Sequence, residues 1–230
     1  GDKKLYATLD LETLTYKDEE HGQRTAFYAS DILKPAWELY QSFMGVPRSN
    51  PMKWYEKLKF GAGNGVESAM LQVLKDSGVV AEDYNQHEQG KVNFKSGEIE
   101  IHGRIDAITK QGLPIEIKSV NNKNAWDIKA YEDNYPRENY VGQLSVYMDS
   151  LGVDTGYLFV ASVDGLNRFW IECKRSGDIF TCGKTKFDLA KEYKRWSTLY
   201  SSNILPKISP DPLEYVYKYP IDTIDWDKIS

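Results

Sequence analysis

The stretch IHGRIDAITKQGLPIEIKS, residues 101–119, constrains this chain more than any other. It holds two runs of strand-forming residues, IHGRIDAI and LPIEIKS, separated by the turn pair Gln111-Gly112. Asp106 sits among apolar residues in the first run and Glu116 in the second, with Lys118 two positions later. Burying such charges is costly unless they are paired or bind a metal. In adjacent antiparallel strands joined by a turn, Asp106 and Glu116 can come side by side, and Glu116 and Lys118 point to the same sheet face. Three charged groups then converge at one spot. Paired carboxylates suit Mg²⁺ or Mn²⁺, which take oxygen ligands and keep waters for a substrate phosphate. A lysine beside them can orient or deprotonate a water, or steady the charge developing on a phosphate. The plainer alternative pairs Asp106 and Glu116 with Arg104 and Lys118 as residues at the edge of a sheet.

The rest of the chain supplies the elements around this pair. ASDILKPAWELYQSFMG predicts a helix capped near Ser30 or Asp31, with Pro35 in its first turn. MKWYEKLKF predicts a second, short helix, and GAGNGVESAMLQVLKDSG a third. In this third helix Val66, Met70, Val73 and Leu74 form the stripe, Gly78 is the stop and Glu67 lies in the first turn. Strands GKVNF, EIEIHGRIDAIT and LPIEIKSV follow, with turns at Ser96-Gly97 and Gln111-Gly112. Residues 121–136 predict a polar loop, ENYVGQLSVYMDSLG a helix, and TGYLFVAS with NRFWIEC a hairpin around Asp164-Gly165. A long helix is expected from about Ile179 to Tyr200, with Leu189, Tyr193, Trp196 and Tyr200 on one face. The alternation of helices and strands predicts an α/β fold with a central mixed β-sheet flanked by helices.

Composition limits the partners. The net charge of −5 is not the footprint of a protein that binds nucleic acid through its overall charge. Residues 102–130, however, carry five Lys/Arg against three Asp/Glu, a local +2. No apolar run approaches the roughly 20 residues of a membrane span, so no membrane partner is expected. The opening GDKKLYATLDLE lacks the apolar core of a secretion signal, and an intracellular, cytoplasmic setting is expected. Cys173 and Cys182 are the only cysteines, which excludes a four-cysteine cluster within the chain.

On these residues the chain resembles the PD-(D/E)XK nuclease superfamily, in the branch of RecB-type and phage exonuclease domains. GRIDAI and PIEIKS are similar to the core of that family. GNGVESAML resembles the helix before the core, with Glu67 in the ligand position, and GQLSVYMDSLG resembles the Gln-xxx-Tyr helix after it, with Gln143 and Tyr147. Gly103, three residues before Asp106, and the strand TGYLFVAS also fit. Many RecB-type members carry His where Glu67 stands; a Glu there is found in phage recombination exonucleases.

The resemblance implies a restriction-endonuclease-like core that hydrolyses DNA phosphodiester bonds with Mg²⁺ or Mn²⁺. It implies Asp106, Glu116, Glu67 and the backbone carbonyl of Ile117 as metal ligands, Lys118 as catalytic, and Gln143 and Tyr147 beside the site. No iron–sulfur cluster is expected. The core would span 59–202, after a helical and irregular lobe at 1–58 and before an irregular extension of the same domain at 203–230. Exonuclease action is favoured, with a structure-selective or non-specific DNA endonuclease on the same site as one alternative and a non-catalytic nucleic-acid-binding module as the other. A recombination or repair partner is compatible with this branch.

Further candidates for substrate contact are His102, Arg104, Ser119, Lys123, Trp126 and Gln143. His102 shares parity with Arg104 and Asp106, and can touch substrate or be a partnered structural histidine. Trp126, Tyr131 and Tyr135 can stack on bases of single-stranded DNA or pin their loop to the core. Glu67 can be a ligand or only a favourable charge at a helix start. Tyr147 can serve the site or the packing. Lys184, Lys186, Lys191, Lys194 and Arg195 can track a backbone or form a solvated helix face.

Overall fold

A computed structural model describes residues 22–45, 54–121 and 125–202, by backbone alone at 54 and 125–127. The expectations for 1–21, 46–53, Lys123, the Trp126 side chain and 203–230 therefore lie outside the described residues.

Strand β1 is Phe27–Tyr28, and helices α1 (Ala36–Met44) and α2 (Trp54–Asp76) follow. Strands β2 (Lys91–Ser96), β3 (Ile99–Arg104), β4 (Ala107–Ile108) and β5 (Pro114–Val120) come next. Helices α3 (Ala125–Glu132) and α4 (Glu138–Leu151) lead to strands β6 (Thr155–Ser162), β7 (Arg168–Ser176), β8 (Ile179–Cys182) and β9 (Thr185–Asp188). Helix α5 (Leu189–Ser201) closes the described chain. The strands form a three-stranded sheet, β1-β3-β2, and a six-stranded sheet, β4-β5-β6-β7-β8-β9. In the larger sheet β5 and β6 are parallel and the other neighbours antiparallel, the mixed α/β arrangement the sequence predicts.

Strand β5 is the pivot. A parallel neighbour needs a crossover, and α3 and α4 supply it between β5 and β6. Helix α2 and helix α4 both pack on β5. Ile115 and Ile117 join a small core with Met70 and Leu74 of α2. Val120 joins the main core, with Leu144 and Tyr147 of α4, Phe27, Phe43 and Trp196. A strand covered on both faces reads as a nearly continuous apolar run, so Glu116 and Lys118 stand out in it.

Several expectations are corrected. The first helix begins at Ala36, not near Ser30, because Leu33 takes a left-handed φ of 60° that breaks helical continuity. Asp31 instead accepts from the Tyr28 backbone N–H and from Arg24 and Lys34. The two helices expected across 52–78 are one helix of 23 residues, running through Gly61, Gly63 and Gly65. Such glycines each cost about 1 kcal/mol in a helix. At Gly63 the reason is spatial, since a Cβ there would lie 2.9 Å from the Ser119 hydroxyl oxygen on β5. Val73 is 59% exposed, so the inward face of α2 is carried by Met70 and Leu74 with Val66 and Leu71.

EIEIHGRIDAIT is not one strand. The chain leaves the small sheet after Arg104 and enters the large one at Ala107. Ile105 fixes this bend: its N–H donates to the Gly90 carbonyl at 2.8 Å, and its carbonyl accepts from the Tyr84 hydroxyl at 2.9 Å. Residues 121–136 contain α3 rather than only loop. The long helix expected from Ile179 is a β-hairpin followed by the shorter α5, so Lys184 and Lys186 lie outside the helix. IFTC and TKFD alternate inward Phe180, Cys182 and Phe187 with outward residues, and Gly183 takes φ 58° between them. Asp188 then caps α5, accepting from the Lys191 N–H. Trp196 of α5 stacks on Phe27 with ring centroids 4.7 Å apart.

Gly142 marks the closest approach of α4 to its neighbours. A Cβ there would overlap Ile32 and lie 2.9 Å from the Phe187 ring. Overpacking of this kind costs about 1–3 kcal/mol. Gly142→Ala should therefore lower the urea or thermal midpoint clearly, by several degrees; an unchanged midpoint would mean that this contact relaxes freely.

Candidate active site

Asp106 lies immediately before β4, whose register sets Ala107 opposite Ile115 and so Asp106 opposite Glu116. The Asp106 Oδ2 accepts a hydrogen bond of 2.8 Å from the Ile117 N–H, which locks the carboxylate against β5. Glu116 is completely buried. Neither of its carboxylate oxygens receives a hydrogen bond of acceptable geometry among the described residues. The Lys118 Nζ approaches Oε1 to 2.5 Å as an ion pair, and its side chain remains 21% exposed. The expected convergence of Asp106, Glu116 and Lys118 is present.

Glu67 arrives from α2, on the other face of β5. Its Oε1 accepts from both the Ser119 N–H and the Ser119 hydroxyl, each at 3.0 Å. Glu67 lies mid-helix rather than in a first turn, so a charge placed only for a helix start is not its role. Ser119, predicted as a substrate contact, instead holds Glu67 in place. Glu67 and Asp106 both line a cleft of about 260 Å³, together with Asn64, Ser68, Gln86 and Arg104. Arg104 reaches it from the end of β3 and contacts the His87 Nδ1 at 3.2 Å. That contact gives His87 a partner.

Gln143 and Tyr147 share one face of α4, as their spacing predicts. The Gln143 Nε2 donates to the Tyr147 hydroxyl at 3.0 Å, and the Arg104 backbone also hydrogen-bonds that hydroxyl. Tyr147 is buried and packs against Gly103, where a Cβ would stand 2.8 Å from the ring. This is the physical reason for glycine at that position. Tyr147 thus packs against the strand that leads to Asp106, close to the Glu116 and Asp106 carboxylates. His102 is not aligned with Asp106, because the bend at Ile105 intervenes. It bonds Glu100 at 2.8 Å and lies beside Tyr28 on the outer face of the small sheet. Tyr131 is buried and stacked on Phe169, which settles its role as a pin for α3. Tyr135 is exposed beside Lys184. Arg195 is tied to Glu192 at 2.6 Å.

The charges strain one another. Burial first, and then the negative charge of Asp106, push Glu116 up to about 8. Burial also raises Asp106, against the pull of Lys118 and the Ile117 N–H. For Lys118 burial acts downward, but the charges of Glu116 and Asp106 outweigh it and hold the ammonium above its usual range. Lys118 is therefore protonated near neutrality and suits donation and charge stabilisation rather than proton abstraction. Burial and the nearby Glu116 charge likewise keep Tyr147 protonated.

Among the described residues, no three His, Cys, Asp or Glu side chains form a ready cation cage. Lys118 occupies one side of Glu116, and Ser119 holds Glu67. The donor set nonetheless fits a hard cation. Glu116 is fully buried beside Lys118, and Asp106, opposite it, stands at the cleft with Glu67, so the carboxylate oxygens are of the kind a hard cation takes.

Among the described residues no helix is long and apolar enough to cross a membrane. No family model matches the chain, and no curated protein does. Several solved structures are distantly similar, among them these two. The alkaline exonuclease of Laribacter hongkongensis is 14% identical over 84% of this chain and 91% of that one, with a TM-score of 0.47. The protein SSO0001 is 16% identical over 80% of this chain and 76% of that one, with a TM-score of 0.45. At these values no property transfers from either of them to this chain.

The raised Glu116 value has a sign that can be measured without cation. A carboxyl raised in the folded state contributes stability that is present below its unfolded value and lost as pH rises through the folded value. In EDTA, Glu116→Gln should change stability little at pH 4, then gain on wild type up to a plateau above pH 8. The gain is on the order of a few kcal/mol, because each tenfold change in proton affinity is worth about 1.4 kcal/mol. Unfolding curves that run parallel across this window would mean that Glu116 ionises normally.

Proposed function

We propose that this chain is a divalent-metal-dependent deoxyribonuclease of the PD-(D/E)XK kind that degrades DNA from its ends. The observation that carries this reading is Glu116: a fully buried carboxylate paired with Lys118 and set opposite Asp106, which itself lines the cleft.

Asp106, Glu116, Glu67 and the Ile117 carbonyl would hold Mg²⁺ or Mn²⁺. When bound, such an ion makes a water acidic enough to attack phosphorus and offsets charge on the attacking and leaving oxygens. The chain's own residues do the rest. Asp106 is oriented by the Ile117 N–H and Glu67 by Ser119. Lys118, part-exposed beside Glu116, offers its N–H groups to a non-bridging phosphate oxygen. Arg104, at the cleft wall, is placed to pair with an adjacent phosphate. Gln143 and Tyr147 keep the Gly103–Arg104 backbone and hence Asp106 in position. The choice of exonuclease rests on the Gln143–Tyr147 helix of the family resemblance.

The test is cleavage of end-labelled linear single- and double-stranded DNA beside a covalently closed circle, with Mg²⁺ or Mn²⁺. Release of nucleotides or short oligomers with the circle intact is expected; cutting of the circle would instead make the protein an endonuclease. Lys118→Ala should lower the rate by about 10²-fold or more. No metal-dependent cleavage of any substrate would overturn the reading in favour of a binding module. Ser119→Ala should weaken Mn²⁺ binding, measured by calorimetry, by about ten-fold, because outer hydrogen bonds orient ligands. Equal heats for wild type and Asp106→Ala would remove the metal site altogether.

A further inference from the structure

The three-stranded sheet has one face in the core and one in solvent. Phe27, Val92, Ile99 and Ile101 are buried on the inner side. The outer side, by register, sets Tyr28 and Asn93 on either flank of His102, and Lys91 opposite Arg104. Two features of this outer face are unexplained by packing. Like charges directly opposite on neighbouring strands are destabilising, yet Lys91 and Arg104 are so placed and neither forms an ion pair among the described residues. Tyr28 is 44% exposed although Phe27 beside it is fully buried. Its ring lies against His102 with centroids 6.1 Å apart, and the Arg24 guanidinium, 4.4 Å from the ring centroid, fixes it.

We propose that this outer face is a track for single-stranded DNA leading into the cleft; the proposal rests on the nuclease reading above. An anion between Lys91 and Arg104 removes their repulsion, and a phosphate is such an anion. Lys91, Lys95 and Arg104 against Glu100 give the face +2 on a chain of net −5. Glu100 is answered by His102 and lies opposite Lys95, so the positive charge of the face gathers at the Lys91–Arg104 end, where Asp106 faces Arg104 but no carboxylate pairs with Lys91 among the described residues. That end adjoins the cleft, because Arg104 also lines it with Asp106. His102 and Arg104, two residues apart, are spaced by roughly 6.6 Å along the strand, suited to a base at the first and a phosphate at the second. Only unpaired bases offer their π-faces to Tyr28 and His102; a duplex hides them in its stack.

The full chain is titrated in EDTA, without turnover, into a fluorescent 20-nucleotide thymidine oligomer, and anisotropy gives Kd. Tyr28→Ala and Lys91→Ala should each weaken binding about ten-fold. Tyr28→Phe, which keeps the ring, should bind as wild type does. Lys91→Ala should also reduce the slope of log Kd against log salt by about 0.7. Lys174→Ala, on the distant strand β7, should bind like wild type. Wild-type binding too weak to measure, Kd values unchanged in both alanine variants, or tighter binding of a hairpin duplex or an RNA oligomer would each overturn the track. Binding with these losses but no Mg²⁺-dependent cleavage would keep the track and sink the nuclease reading. Cleavage with unchanged variant affinities would do the reverse.

Discussion

The ion pair between Glu116 and Lys118 is the constraint around which the described structure is arranged. A carboxylate wholly removed from water costs several kcal/mol unless something compensates it, and one ammonium at 2.5 Å does so only in part. Asp106 adds a second negative charge at the same place and is itself tied to the Ile117 N–H. The surrounding structure must hold these groups together against their repulsion. It does so by clamping β5 between α2 and α4, with Ile115 and Ile117 buried on one side and Val120 on the other. Keeping such a charge cluster in place of a well-packed apolar strand costs folding free energy.

The supports of the cluster are distributed across the chain. Gly63 lets α2 approach β5 closely enough for Glu67 to meet Ser119, 52 residues away in sequence. Gly103 makes room for the Tyr147 ring, and the Tyr147 hydroxyl in turn holds the Arg104 backbone. Gly90 and Tyr84 fix the bend at Ile105, which carries the chain from one sheet to the other and turns Asp106 away from His102. Each glycine acts by absence of a side chain where two elements nearly touch.

The elements that sequence reasoning misassigned share a cause. Two helices were expected where α2 runs unbroken through three glycines, because burial of Met70 and Leu74 against β5 outweighs their local cost. Residues 179–188 carry enough charge to mimic an amphipathic helix, although Phe180, Cys182 and Phe187 follow a period of two around Gly183. That alternation, with the glycine between its halves, was the available signal. Ser119 was visible as a residue near the site but not as the partner of Glu67, because no local pattern links a strand end to the middle of a helix 52 positions earlier.

The turn-linked pair of strands around Gln111-Gly112, the face shared by Glu116 and Lys118, the Gln143–Tyr147 spacing and the glycine stop at 78 are legible in the sequence. These depend on residues close in the chain, where the pleat and the helical turn fix which side chains can meet. The meeting of Glu67 with Ser119 on β5, the packing of Tyr147 against Gly103, and the placing of Lys91 opposite Arg104 on an open sheet face are visible in the folded protein alone. Those relations come from packing whole elements against one another. Packing is set by the burial of many apolar side chains at once, and no short window of sequence contains it.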